Sequence, residues 1–233
     1  MRRRRVVASL VAVFVACVCA FAFFRRMGNP DFWGSEIAAF ETADRANPPK
    51  PGVIVFAGSS SIRFWKTLDG DMQPLEVISR GFGGSTIAQV NHYASRIVLP
   101  YRPRAVVLYA GDNDLSWPSS KSPEQVFGDF RQFVEIIHGQ LPETWIYYLS
   151  IKPTILRRKN WAKMQQTNEL IADYISTQPR TQFIDVSAAM LDAQNQPRAE
   201  FFRWDGLHMN ASGYAIWTSI IKPVLLSRFG GAH

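Results

Sequence analysis

Cysteine is almost absent from this 233-residue chain, and its two copies, Cys17 and Cys19, both fall within the first 26 residues. The rest of the chain therefore has no disulfide, no thiolate nucleophile and no cysteine-held metal. Acidic residues are missing from the same first 26 residues, which hold Arg2, Arg3, Arg4, Arg5, Arg25 and Arg26. These six arginines account for six of the formal +7, leaving +1 for everything after them. A body so close to neutral lacks the basic footprint of a nucleic-acid binder. Repeats and low-complexity tracts are also lacking. With 47% apolar and 19% charged residues, the chain is neither a disordered tail nor a polytopic membrane protein.

The one long hydrophobic run is Val6–Phe24, which contains a single Ser and no charge. As a helix it would span roughly 28 Å, close to the ~30 Å hydrocarbon core of a bilayer. Four arginines before it and two after it predict a cytoplasmic N-terminus, an uncleaved signal anchor and a body exported to the periplasmic or extracellular face. The alternative is a cleaved signal peptide, secreting the protein after a cut near residue 22. Ala20-Phe21-Ala22 fits the small-x-small pattern, although Phe23, Phe24 and the arginines after them are poor flanks.

Residues 27–233 alternate short β-rich apolar runs with helical patterns, as βαβ units around a parallel sheet do. The expected strands are Val53–Ala57, Glu76–Ser79, Ala105–Tyr109, Thr144–Leu149 and Gln182–Val186. Apolar stripes of period 3.6 run through Ile87, Val90, Ala94 and Ile97, through Val126, Phe130, Phe133 and Ile137, and through Trp161, Met164, Ile171 and Ile175. Ser85 or Thr86 is the expected N-cap of the first stripe. A last helix starts near Asn210, and Pro223 is expected to kink or end it. An earlier short helix near Ser35–Arg45 is closed off by Pro48-Pro49-Lys50-Pro51. The expected organisation is a signal segment over residues 1–26, a short helix and Pro-rich connector over 27–51, and one three-layer α/β/α domain over 52–233. Ligands of such a sheet collect at the carboxyl ends of its strands.

Four sequence features stand there. The first strand runs into Gly58-Ser59-Ser60-Ser61, a serine at a sharp strand-to-helix turn, without the second glycine of a G-x-S-x-G elbow. The second strand runs into Gly81-Phe82-Gly83-Gly84-Ser85-Thr86, which fails as a dinucleotide fingerprint because Thr86 stands where its last glycine belongs, and no Walker lysine follows. The third strand runs into Gly111-Asp112-Asn113-Asp114, read as a turn or a hydrogen-bond donor rather than a hard-cation site. Finally, Asp205-Gly206-Leu207-His208 spaces an acid and a histidine so that they meet, which fixes the imidazole tautomer. Singly, each feature reads as a turn, a cap or a surface pair.

Taken in order, the four blocks resemble those of the SGNH (GDSL-type) hydrolases over residues 52–228. The Gly-Ser-Ser-Ser first block and Ser-Ile-Lys-Pro at Ser150–Pro153 look like the platelet-activating-factor-acetylhydrolase-like and lysophospholipase-like branch. The resemblance implies a flavodoxin-like, five-stranded parallel sheet and a serine esterase. It makes Ser60 the nucleophile, His208 the base and Asp205 its orienting acid. The amides of Ser60 and Gly84 and the side chain of Asn113 would form the oxyanion hole. No metal or other cofactor is implied. Ser59 departs from the family pattern, standing where Gly-Asp-Ser members have Asp.

The implied reaction is hydrolysis of carboxylic esters, short-chain acyl or acetyl by preference, on small-molecule, lipid or glycan substrates. An envelope O-acyltransferase using the same triad, or a non-catalytic binding module, are the alternatives. Membrane contact is expected only through residues 6–24. Phe64, Trp65, Phe82, Trp117, Trp161 and Trp204 are candidates for core or pocket lining. Lys152, Arg157, Arg158, Lys159 and Lys163 read as a solvated helix face.

Overall fold

Five short runs rich in β-branched and aromatic residues form the sheet of the computed structural model, which describes Phe14 and residues 29–231. They are β1 (Ile54–Gly58), β2 (Val77–Gly81), β3 (Ala105–Tyr109), β4 (Trp145–Leu149) and β5 (Thr181–Ile184), all parallel, in the order β2-β1-β3-β4-β5. β1 and β3 are buried along their whole length, because a parallel sheet is covered on both faces. The order is that of the flavodoxin-like doubly wound sheet, with its switch point between β1 and β3.

The chain divides into two compact units, residues 1–35 and 36–233. Among the described residues, the first contains the 3-10 turn Pro30–Trp33, capped by the Asn29 side chain accepting from the Asp31 amide. Helix α1 (Gly34–Ala46) begins at the boundary and matches the short helix expected there. The helices that follow are α2 (Ser60–Arg63), α3 (Leu68–Met72), α4 (Ile87–Ile97), α5 (Pro123–Gln140), α6 (Trp161–Thr177) and α7 (Ala211–Phe229). Thr86 and Ser122 start α4 and α5 with full capping boxes, their hydroxyls reaching Gln89 and Gln125, whose side chains return the bond.

Helices α4, α5 and α6 pack in succession over one face of the sheet, where the Phe130 ring meets Tyr148 at 4.9 Å. On the other face, Trp217 of α7 packs on Tyr109 at 4.8 Å and shares a core with Ile54, Phe56, Val107, Tyr147 and Leu149. Pro223 does not end α7. The helix continues to Phe229 because Ile221 and Leu225, on either side of the proline, are fully buried, and that packing outweighs one missing backbone bond. Apart from Phe14, the signal anchor expected over Val6–Phe24 lies outside the described residues. Among the described residues, no helix is long and apolar enough to cross a membrane.

Candidate active site

The carboxyl ends of β1 and β3 lie side by side, Gly58 opposite both Gly81 and Tyr109. Gly58 has φ 137°, and a Cβ there would stand 1.9 Å from the Tyr109 carbonyl oxygen, the atom that accepts the Ser59 amide. Only glycine lets β1 end against that carbonyl, and the chain then turns at once into α2 with Ser60 as its first residue. Ser61, the next residue, is held from below: its carbonyl accepts the Tyr214 hydroxyl at 2.9 Å. Ser59 is buried, and its hydroxyl has no hydrogen-bond partner.

The loop after β2 is tied to the same place. Gly84 takes the left-handed φ of 71°, and the Ser85 hydroxyl donates to the Gly58 carbonyl at 3.1 Å. The loop after β3 joins it, since Asn113 Nδ2 donates to the Ser85 carbonyl at 3.1 Å. Asn113 Oδ1 accepts from the Arg157 guanidinium at 2.9 Å. One Nδ2 proton is left over for a ligand.

The last segment before α7 completes the group. Asp205 Oδ1 accepts the amides of Leu207 and His208, both at 2.9 Å, and its Oδ2 lies 2.7 Å from His208 Nδ1. Burial pushes the Asp205 carboxyl up, but the His208 ring and the two amides outweigh it and hold the group at about 2. Asp205 is thus a carboxylate, and His208 carries its proton on Nδ1 when neutral. Its other nitrogen, Nε2, lies 3.1 Å from Ser60 Oγ, across 148 positions of sequence. The Phe64 ring meets the imidazole in a T-shaped contact, with centroids 4.9 Å apart.

Ser60, Asn113, Asp205 and His208 therefore come together with Gly84 in the adjoining turn. Of the aromatic candidates, Trp65 and Phe82 are core, Phe64 faces His208, and Trp117 and Trp204 are exposed. The basic run is not one solvated face. Arg158, Lys159 and Lys163 are exposed, but Arg157 is mostly covered and Lys152 is 1% exposed. Lys152 is drawn inside because Ser61 Oγ and Tyr109 OH, each 3.2 Å from its Nζ, receive its protons. Burial pulls its ammonium down to about 8, with Asp112 opposing that pull and Arg157 adding to it. A signal for Lys152 was available, since it follows β4 at the same carboxyl edge as the other motifs.

The two acids beside Asn113 have separate partners. Asp112 Oδ2 pairs with Arg157 at 2.9 Å, and Asp114 accepts the Ile87 amide that opens α4. Among the described residues, no cluster of His, Cys, Asp and Glu could hold a metal ion.

Comparison with known proteins bears on the family and the fold. Residues 44–216 match the model of the GDSL-like lipase/acylhydrolase family. Comparison with curated proteins gives no match. Among solved structures, a Streptococcus pneumonia protein described as a platelet activating factor is 18% identical, with TM-score 0.74 over 91% of this chain and 98% of that one. A Bacteroides fragilis protein described as an acylhydrolase is 22% identical, with TM-score 0.71 over 79% and 93%. An acetylxylan esterase from Geobacillus stearothermophilus is 14% identical, with TM-score 0.59 over 74% and 94%. At these identities the structures share the fold. The family match covers most of the chain, and the chain belongs to the GDSL-like lipase/acylhydrolase family, the SGNH serine ester hydrolases.

Proposed function

We propose that the protein cleaves short-chain acyl or acetyl esters through a Ser60–His208–Asp205 triad and a covalent acyl-enzyme. The observation that carries this reading is the continuous chain Ser60 Oγ–His208 Nε2–His208 Nδ1–Asp205 Oδ2, at 3.1 and 2.7 Å. His208 Nε2 takes the Ser60 proton as Oγ bonds to the ester carbonyl carbon, and the carbonyl oxygen becomes an oxyanion. The Ser60 and Gly84 amides and the free Asn113 Nδ2 proton receive that charge. When the tetrahedral adduct collapses, its C–O bond to the alcohol breaks and His208 gives the proton to the departing oxygen. Water then repeats the cycle: it gives a proton to His208 as its oxygen bonds to the acyl carbon, the bond from that carbon to Ser60 Oγ breaks to release the acid, and His208 returns the proton to Oγ. Asp205 stays ionised throughout and stabilises the imidazolium.

The short-chain preference is supported by the absence of a long apolar insertion between the four motifs. The Geobacillus neighbour, an acetylxylan esterase, points the same way. The arginines flanking Val6–Phe24 support a membrane-anchored protein with this site on the exported side.

The test is hydrolysis of p-nitrophenyl esters, acetate through long-chain acyl, by the full chain and its Ser60→Ala variant. Turnover that falls with chain length and vanishes in Ser60→Ala is the expected result. Turnover retained in Ser60→Ala, or a long-chain optimum, would refute the corresponding half of the reading.

A further inference from the structure

We propose that Arg157 is a positioning residue that holds the oxyanion donor Asn113 in its working orientation, an inference that rests on the oxyanion hole described above. The guanidinium spans two neighbouring side chains at once: Nη1 donates to Asp112 Oδ2 and Nη2 to Asn113 Oδ1, both at 2.9 Å. Its side chain is 17% exposed and that of Asp112 is 5% exposed, so water competes little for either bond. The segment that carries Arg157 is itself anchored, its amide donating to Thr154 Oγ1 at 3.2 Å.

A carboxamide can present its oxygen or its nitrogen to a ligand by rotating half a turn. At an oxyanion hole the two orientations have opposite effects, because an amide oxygen would repel the charge that the nitrogen's proton attracts. Arg157 can only donate, and the Ser85 carbonyl, 3.1 Å from Asn113 Nδ2, can only accept. Between them they admit one orientation: oxygen toward Arg157, nitrogen toward Ser85, and the second Nδ2 proton left for substrate. A cation on Oδ1 also draws electron density from the amide and strengthens the remaining N–H as a donor. Lysine offers a single ammonium and no planar fork, so it cannot hold both Asp112 and Asn113 in this way.

A double-mutant cycle on the full chain, with p-nitrophenyl acetate as substrate, tests this. Arg157→Ala should lower kcat by about 10- to 100-fold with KM within about twofold, the signature of an interaction made in the transition state only. In an Asn113→Ala background the same change should cost less than about threefold, since the group it positions is gone. Arg157→Lys keeps a cation for Asp112 and guards against a folding defect; it should show the same kcat deficit at unchanged KM. An equal loss in both backgrounds, a rise in KM alone, or a wild-type kcat in both Arg157 variants would overturn the assignment while leaving the triad intact. Turnover that survives Ser60→Ala would overturn the triad, and this inference with it.

Discussion

Lys152 offers a stability experiment whose sign is fixed by the structure. Its ammonium is buried under the turn that carries Ser60 and pulled down to about 8 from an ordinary 10.5, first by desolvation. That gap corresponds to roughly 3 kcal/mol, carried by the folded state whenever the lysine is charged. The cost is present in full below about pH 8. Between about pH 8 and 10.5 the native protein has shed a proton that the unfolded chain still holds, so stability rises with pH across that window. Lys152→Met removes the titration. At pH 7 it relieves the charge but leaves Ser61 Oγ and Tyr109 OH without their donor, a loss of about 1–2 kcal/mol each. The variant should therefore lie within about 2 kcal/mol of wild type at pH 7. By pH 10.5 it should have lost about 3 kcal/mol relative to wild type. Urea unfolding of both proteins at intervals from pH 7 to 10.5, in one detergent, measures the difference, and the titration of exposed groups cancels in it. A difference that stays flat across this range would show that Lys152 titrates as an exposed lysine does, and would refute the buried-ammonium account.

Two further changes bear on the site. Asn113→Ala should lower kcat on p-nitrophenyl acetate by about 10²- to 10³-fold, the usual effect of losing one oxyanion donor, and an unchanged kcat would remove Asn113 from the hole. Gly58→Ala drives a Cβ into the Tyr109 carbonyl at a φ that side chains rarely adopt, so it should cost roughly 3 kcal/mol or more, read as a fall in Tm; a Tm within about 2 °C of wild type would count against the described turn.

The strands were legible because most are continuous apolar runs buried on both faces, and their expected bounds fall within a residue or two of those found. β5 is the least strongly marked of them. It was expected at Gln182–Val186 and lies at Thr181–Ile184, because an edge strand has little burial to mark it: Thr181, Gln182 and Phe183 are only partly buried. Val186, read as strand, instead donates its amide to Ser150 Oγ. Within the site, the Asp205–His208 pair was legible from its spacing alone. The contact of Ser60 with His208 was not, since no local pattern links residues 148 positions apart. Only the order of four motifs brought them together. Arg157 and Lys152 were misread for the same reason. A run of cations looks solvated until the fold brings Asp112, Asn113, Ser61 and Tyr109 against it.

The placement of those cations also explains why the fold tolerates the cost of Lys152. On the proposed mechanism, proton transfer from Ser60 creates an oxyanion at the Ser60–Gly84–Asn113 side and an imidazolium at the Asp205 side. Lys152 lies against Ser61 and Tyr109 beneath the turn that carries Ser60, Arg157 holds Asp112 and Asn113, and Asp205 pairs with His208. Such an arrangement favours the tetrahedral state over the neutral ester without having to reorganise when charge develops. A neutral residue at 152 would make a cheaper core and remove a fixed positive charge from beneath the Ser60 turn.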